Sequence, residues 1–563
     1  MPNEDEQDGL SFEQARHRLL SPGSPFELTR ETVLGETLSV YKTRARSLRD
    51  LLELSAGHGD KEYLVFSDGR RWTYREHLVD VASVATALRE DFGIGPGDSV
   101  AIFAANSPEW ILTYWATVSL GAIVVAMNGW WAVDEIRAAL DATGPKLILA
   151  DERRLERLNE IATDIPIISF EHDFESLRLH TKEASLPTES THPIAEDDPA
   201  LLLFTSGTTG RPKAALISHR TLIAFTMTSF FLGAIRSLTE DVGGRESGAI
   251  LAPFPLFHLS GTMGSTTACL AGGAKTVWPL GRFDPAEIIR LSREENVTNW
   301  SGATTHLFRL LNHPDIEKLD TDRFTNISAG GSTSTPELLR AITDRFPHLE
   351  GNLGSGYGST ESGGLISYAP ASMLRAAENC VGPPLPTVQV KIVDEDGKQL
   401  PDGENGRICA RSPLVMLEYL KDAAANAEAF LPGRWVDTGD FGHLEQGKLY
   451  LESRMRDMII RGGENIFPSE IENRIELHPD VAEVAVHGVD DPELGERVKA
   501  VVIPRPGATL SEDSVRAFAA QTLAYFKVPE LVEIRTDSLP RNATGKIMKH
   551  VLRGQAENPF VEE

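Results

Sequence analysis

Short apolar runs alternate with amphipathic stretches from about residue 50 to 185. Ser99-Val-Ala-Ile-Phe, Ala122-Ile-Val-Val-Ala and Lys146-Leu-Ile-Leu-Ala read as buried strands separated by helical periodicity. That alternation predicts a parallel sheet with helices on both faces. Residues 1–45 read as a polar extension leading to a helix. Residues 181–199, polar and holding three prolines, read as a connecting loop. A second α/β run follows from about 200 to 370. After 380 the pattern shortens: Val388-Gln-Val-Lys-Ile-Val, Gly406-Arg-Ile-Cys-Ala-Arg and Lys448-Leu-Tyr-Leu predict antiparallel strands with glycine turns, a small barrel. The final segment predicts a helix over 468–477, strands over 481–488 and 498–504, and a helix over 511–522. The uncharged stretch from Trp110 to Val133 is long enough to cross a bilayer. Gly121, Asn128, Gly129 and the Trp130-Trp131 pair interrupt it, so it reads as an amphipathic helix ending near Gly121 and a buried strand over Ile123–Met127.

Length and charge narrow this picture. At 563 residues the chain exceeds one compact domain, and 41% hydrophobic with 24% charged residues excludes a disordered or collagen-like chain. With 55 basic and 82 acidic residues the formal charge is −27, which argues against a nucleic-acid partner. If the chain binds phosphates, it must hold them locally, by backbone amides and a few placed cations. From Arg454 onward there are 14 basic and 19 acidic residues, so the acidity is spread evenly rather than gathered in a tail. Three cysteines (Cys269, Cys380, Cys409) form no disulfide framework, and the acidic N-terminus lacks an apolar signal region, so a cytoplasmic location is expected.

Five motifs carry candidate chemistry. Leu201-Leu-Leu-Phe-Thr-Ser-Gly-Thr-Thr-Gly-Arg-Pro-Lys213 runs a buried strand into a hydroxyl- and glycine-rich loop closed by a lysine, the chemistry of a phosphate cradle. It is not a Walker A loop, because no Gly-Lys-Ser/Thr follows. A flexible serine–glycine loop is the bland alternative, and the preceding strand and following Arg-Pro-Lys weigh against it. Gly354-Ser-Gly-Tyr-Gly-Ser-Thr-Glu361 has the wrong spacing for a dinucleotide fingerprint. Tyr357 could stack on a purine and Glu361 could hold Mg²⁺; otherwise the segment is a tight turn with a surface glutamate. In Trp435-Val-Asp-Thr-Gly-Asp440 the terminal carboxylate could accept from ribose hydroxyls or be a solvated turn residue. Ser453-Arg-Met-Arg-Asp-Met-Ile-Ile-Arg-Gly-Gly-Glu-Asn-Ile-Phe-Pro-Ser-Glu-Ile-Glu472 sets a charged joint before a strand, a Gly-Gly loop and a helix. Leu539-Pro-Arg-Asn-Ala-Thr-Gly-Lys546 ends in a lysine that, in isolation, would be a solvated surface group.

In this order and spacing the five motifs resemble the ANL superfamily of acyl-CoA synthetases, peptide-synthetase adenylation domains and luciferases, over about residues 50 to 553. Gly-Gly-Glu-Asn-Ile-x-Pro-x-Glu-Ile-Glu is similar to the acyl-CoA synthetase branch. The resemblance implies an N-terminal extension (1–49), a large adenylation domain (50–455) of two doubly wound α/β subdomains plus a small β-barrel-like subdomain, and a small mobile α+β C-terminal domain (456–563). It implies a two-step reaction: a carboxylic acid and ATP give acyl-adenylate and pyrophosphate, then coenzyme A gives the thioester and AMP. By the same resemblance, Thr205, Ser206, Gly207, Thr208, Thr209, Gly210 and Lys213 hold the β- and γ-phosphates. Thr360 contacts the α-phosphate, and Glu361 with Thr205 binds Mg²⁺. Tyr357, Gly330, Gly331 and Ser332 border adenine, and Asp440 and Arg454 hold the ribose. Lys546 reaches the α-phosphate and the substrate carboxylate. Arg456-Asp457 lies at the hinge, where rotation withdraws Lys546 and brings Gly462 and Gly463 to the thiol tunnel. Ser453 and Arg456 stand where the family usually has Gly and Lys. His258, in Phe254-Pro-Leu-Phe-His-Leu-Ser-Gly261, falls at the family's gate between acyl pocket and thiol tunnel.

Amino-acid-activating relatives carry Asp at the position of Leu259, so an ammonium-bearing substrate is disfavoured. Acetate-specific relatives carry Trp at the position of Gly358, so glycine is expected to leave room. With the small, mostly uncharged segments 264–267 and 302–306, a bulky, largely apolar acid (fatty, aryl or polycyclic) is the expected substrate. Two competing readings remain at this stage: a stand-alone adenylating enzyme that loads a carrier-protein thiol, and a non-catalytic nucleotide-binding relic, which the intact Lys213, Glu361, Asp440 and Lys546 oppose. No membrane span is expected, and a homodimer is compatible with the resemblance.

Overall fold

The computed structural model describes residues 10–183, 185–187, 193–205, 213–239, 248–330, 336–349, 353–377, 379–454, 457–461, 464–542 and 546–554. Two sheets dominate it. In the first, seven strands lie in the order Glu418–Tyr419, Lys213–Ser218, Pro199–Thr205, Ile123–Ala126, Ser99–Phe103, Leu147–Ala150 and Ile167–Ser169. The second has six: Asn326–Gly330, Val297–Ala303, Ala249–Leu251, Thr276–Trp278, Glu62–Phe66 and Arg71–Thr73.

The consecutive α/β runs anticipated from the sequence therefore do not each build a sheet. Strands from 62–73 join the second run, and 199–218 and 418–419 join the first. Nor is the first sheet purely parallel, since Pro199–Thr205 and Lys213–Ser218 pair antiparallel. The first departure arises from strand pairing at long sequence separation, which local periodicity does not record; the second comes from two strands consecutive in the chain that pair with each other.

Alternation along each strand assigns its faces. Val100 and Ile102 join a core shared with Tyr63, Leu64 and Phe66 of the other sheet, whereas Ala101 and Phe103 face a separate outer core. The helices Tyr74–Glu90 and Pro108–Ser119 fill the space between the sheets. Pro108–Ser119 and Ile123–Ala126 are the helix and strand expected in the uncharged stretch. This helix is buried on every side rather than amphipathic, because it has a sheet on each flank. A different helix, His219–Thr239, is the one long and apolar enough by composition to span a membrane among the described residues; half of it is buried in the fold.

The N-terminal segment is more ordered than its polarity suggested. A helix, Phe12–Leu19, and a hairpin, Leu28–Val33 with Glu36–Tyr41, dock on His219–Thr239 through Ala15, Phe26, Tyr41, Phe231 and Ile235. Arg44, almost fully buried, secures this packing by pairing with Glu31 at 2.7 Å and Glu196 at 2.6 Å. Glu196 also takes Arg220 at 2.8 Å.

The strands expected after residue 380 form an antiparallel sheet in the order Cys380–Gly382, Lys448–Arg454, Trp435–Glu445, Gly406–Arg411 and Gln389–Val393. Beyond it, the long hairpin Val481–Asp491 with Gly495–Pro504 carries helices Pro468–Glu476 and Glu512–Ala519 on one face. On the other face, small residues at the paired positions Ala485 and Val501 admit Leu539, Ile547 and Leu552. The segment bearing Lys546 is thereby seated on the back of this sheet.

Candidate active site

Three adjacent strands of the first sheet bring one group of side chains together. Thr205 lies directly opposite Lys213 on the neighbouring strand. Tyr419 lies opposite Ala215, two residues from Lys213, so Lys213 and Tyr419 are diagonal neighbours on one face. The Lys213 ammonium sits 5.3 Å from the centre of the Tyr419 ring, a cation–π contact, and 3.6 Å from Glu428. The Tyr419 phenol donates to Glu361 Oε1 at 2.7 Å and lies near the Thr205 side chain. Burial, with the Glu361 carboxylate beside it, raises the Tyr419 pKa far above its usual value, so the phenol keeps its proton.

Glu361 is presented by a closed turn. Ser359 and Ser362 bond reciprocally: each backbone N–H donates to the other's hydroxyl, at 2.8 and 3.2 Å. The Gly364 N–H donates to the Ser359 carbonyl at 2.8 Å, and the Glu361 carbonyl accepts from Met416 at 3.0 Å. Thr360 and Glu361 occupy the tip, partly exposed. A Cβ at Gly358 would come within 2.2 Å of the Gly364 carbonyl oxygen. With the backbone as it stands glycine is favoured there by close approach, a reason that adds to the room it was expected to leave. Gly364 has φ +104°, and a Cβ there would meet Phe225 at 2.8 Å and Leu259 at 3.3 Å, so an apolar pair backs the turn.

A second group assembles around Asp440. Tyr357 donates its phenolic hydrogen to Asp440 Oδ2 at 2.7 Å. Arg454 is the cross-strand partner of Asp440, so the two residues expected at the ribose stand directly opposite one another. Tyr357 therefore binds the carboxylate through its hydroxyl, a contact beyond the stacking role expected of it. Gly330 ends its strand beside Ala303.

His258 lies in a loop fixed by Asn106, whose amide donates to the Phe254 carbonyl at 2.9 Å and accepts from Leu256 N–H at 2.8 Å. Its Nδ1 is 3.2 Å from the Ser260 hydroxyl, and burial pushes the imidazole down to about 4, so it is neutral near pH 7. The loop runs into a π-helix, Ser260–Ala268, in which the Thr266 and Thr267 hydroxyls donate to carbonyls five residues back at 3.0 and 2.8 Å. Such π segments are uncommon and occur often at functional sites. Trp130, 42% exposed, meets Phe257 edge-on at 5.1 Å.

Lys546 follows a short hairpin. Its N–H donates to Asn542 Oδ1 at 2.9 Å, Arg541 bridges to Ile547, and the Arg541 guanidinium pairs with Glu483 at 2.6 Å. Burial, with the charges of Arg309 and Arg541, pushes the His306 imidazole down to about 4. Ser469 donates to the Glu452 carbonyl at 2.8 Å and makes a contact between the small and large units. Ser206, Gly207, Thr208, Thr209, Gly210, Gly331, Ser332, Arg456, Gly462 and Gly463 lie outside the described residues. An open cleft of about 980 Å³ near Trp72, Asp80 and Phe174 reaches Asn106 but is lined by none of the residues expected at the site from the sequence. Its arginines, Arg70, Arg71, Arg75 and Arg178, are already in ion pairs, so nothing marks it for an anion.

Tyr419, Asn106 and Trp130 were missed as site residues from the sequence. No local spacing announces Tyr419, since its bond to Glu361 spans 58 positions.

A lysine and a threonine hydroxyl on paired strands, a carboxylate bound to a neighbouring phenol, and a second carboxylate held by a tyrosine describe an α/β enzyme that activates its substrate with a nucleotide. Comparison with known proteins makes the class specific. Residues 52–420 match the AMP-binding enzyme family and residues 470–546 match the AMP-binding enzyme C-terminal domain. The chain belongs to the AMP-binding enzymes, within the ANL superfamily. It is 30% identical over 533 residues to a mitochondrial medium-chain acyl-CoA ligase of Danio rerio, covering 88% of this chain and 86% of that one. It is 30% identical over 525 residues to a fatty acid–acyl-carrier-protein ligase of Streptomyces coeruleorubidus, covering 90% and 96%. The crystal structure of ATP-bound MatB from Rhodopseudomonas palustris superposes with a TM-score of 0.78 at 28% identity, covering 90% of this chain and 98% of that one.

Proposed function

We propose that this chain is an AMP-forming acid–CoA ligase acting on a bulky, largely apolar carboxylic acid. The carboxylate oxygen attacks the α-phosphorus of ATP, the bond to the bridging oxygen breaks, and pyrophosphate leaves. The sulfur of coenzyme A then attacks the acyl carbon and AMP departs. A carboxylate oxygen is a poor leaving group, and adenylation replaces it with a phosphate ester. Such chemistry needs positioning and charge neutralisation more than a protein nucleophile.

The observation that carries this reading is the convergence of Thr205, Lys213, Tyr419 and Glu361 on one sheet face in a chain of this family. In it, Lys213 and the loop after Thr205 take the β- and γ-phosphates, Asp440 with Arg454 takes the ribose, and Thr360 meets the α-phosphate. Lys546 neutralises the α-phosphate and the incoming carboxylate, then withdraws as the unit 456–563 rotates on 50–455. Support for that division comes from the two family matches, which end at 420 and begin at 470.

The donor set also fits Mg²⁺. Glu361 and Thr205 offer hard oxygens, and the described residues contain no cluster of three or more His, Cys, Asp or Glu able to cage a metal. A cation carried in on the triphosphate suits that arrangement. When bound, it neutralises charge on the departing pyrophosphate.

Leu259 and Phe225 behind the Gly364 turn support an apolar acyl side, and neither would pair an ammonium. The relatives differ in thiol acceptor, so a carrier-protein thiol is the alternative. We place the enzyme in the cytoplasm; its three cysteines, free and buried, suit a reducing compartment. The test is pyrophosphate release over a panel of carboxylic acids, followed by addition of CoA. A CoA thioester with AMP is expected; acyl-adenylate without thioester would move the assignment to the carrier-protein reading.

A further inference from the structure

We infer that Tyr419 is a positioning residue for the metal–triphosphate: its phenol holds Glu361 on the face that carries Thr205 and Lys213 and leaves Glu361 one carboxylate oxygen to offer the cation. This inference rests on the proposed nucleotide site and extends it to a residue that carries none of the recognised motifs.

Glu361 and Thr205 come from separate elements. Glu361 sits on the tip of the turn after Gly354–Tyr357, and Thr205 ends a strand of the first sheet. Their spacing would be set loosely if each depended on its own loop. Tyr419 removes that freedom. It is 7% exposed and held in the sheet by antiparallel pairing to the Lys213–Ser218 strand. Its phenol meets the Glu361 Oε1 atom at 2.7 Å and lies near the Thr205 side chain.

A hydrogen bond to an ionised carboxylate is stronger than a neutral one and directional. It engages Oε1 and leaves Oε2 to the cation. The same ring lies beneath Lys213, so one side chain relates the carboxylate, the hydroxyl and the phosphate-facing ammonium. Preorganisation of this kind saves the ordering cost that separate loops would meet on binding.

The test uses the full chain with α,β-methylene ATP and Mn²⁺, read by electron paramagnetic resonance. Tyr419→Phe should weaken Mn²⁺ in the nucleotide complex about tenfold, the expected size for one charge-assisted hydrogen bond. Affinity for the metal-free analogue in EDTA should change less than about twofold, because phenylalanine keeps the ring under Lys213. Glu361→Gln should weaken Mn²⁺ on its own, and adding Tyr419→Phe should cost nothing more. Wild-type Mn²⁺ affinity in Tyr419→Phe, or full additivity in the double variant, overturns the inference. Should Tyr419→Phe fold poorly, Tyr419→His, which keeps a ring but not the reach of the phenol, is run through the same cycle with Glu361→Gln and carries the same expectation. If the wild-type protein binds no Mn²⁺ with the analogue, the nucleotide reading itself fails. If it binds and the variants match it, only the role of Tyr419 falls.

Discussion

Asp440 shows how a turn residue of ordinary appearance acquires a role. In the sequence it equals any solvated aspartate after a glycine. In the fold its carboxylate is held by Tyr357 at 2.7 Å and stands opposite Arg454. Asp440→Ala should raise the KM for ATP about tenfold or more in a pyrophosphate-release assay, since it removes a charged acceptor already oriented by its neighbour. An unchanged KM would remove the ribose assignment. Lys546 behaves differently, because it belongs to a hairpin anchored on the small unit by Arg541 and Glu483 rather than to the nucleotide cradle. Lys546→Ala is expected to abolish adenylate formation while calorimetry finds ATP affinity within about threefold, as for an interaction made in the transition state. Undiminished adenylate would refute the role.

At the scale of the element, the turn over residues 357–365 links backbone to chemistry. The reciprocal Ser359–Ser362 bonds fix its shape, and Gly358 lets the chain pass against Gly364. Gly358→Ala puts a methyl into a 2.2 Å contact with a carbonyl oxygen, so the turn must move and carry Thr360 and Glu361 with it. A fall in kcat/KM of about a hundredfold is expected, the scale at which misplacement of roughly 1 Å is felt. Wild-type kinetics in this variant would show that the turn tolerates rearrangement. The three strands bearing Thr205, Lys213 and Tyr419 make a similar point: their pairing register, not their order in the chain, puts the three side chains on one face.

For the whole molecule, buried histidines couple stability to acid. His219 opens the long helix His219–Thr239 and accepts from the Leu48 N–H at 3.1 Å through Nδ1. Burial pushes it down to about 4, so the folded state binds its proton less tightly than the unfolded state. Its stabilising share is complete above the ordinary value near 6.5 and is lost as pH falls from there toward 4, a span worth roughly 3 kcal/mol. His219→Asn keeps an acceptor without a titrating ring. Chemical denaturation between pH 7 and 4 should show a shallower loss of stability in that variant. Parallel curves would mean that this histidine does not contribute to the acid response.

The strands Ser99–Phe103 and Gly406–Arg411 were legible residue for residue, because strand periodicity is local. The five motifs likewise announced the family and most of the candidate residues. Local pattern could not show that 64–66 pairs with 276–278, that residues 12–41 dock on Phe231, or that the chain at Gly358 passes against Gly364. Nor could it reveal Tyr419, whose ties to Glu361, Thr205 and Lys213 exist once distant strands have come into register. What the sequence by itself determined was the inventory: which segments become strands and helices, and which hydroxyls, lysines and carboxylates are present to handle a nucleotide. The tertiary structure alone decided which of these meet, since hydrogen bonds, close backbone contacts and cation–π contacts depend on separation in space rather than along the chain.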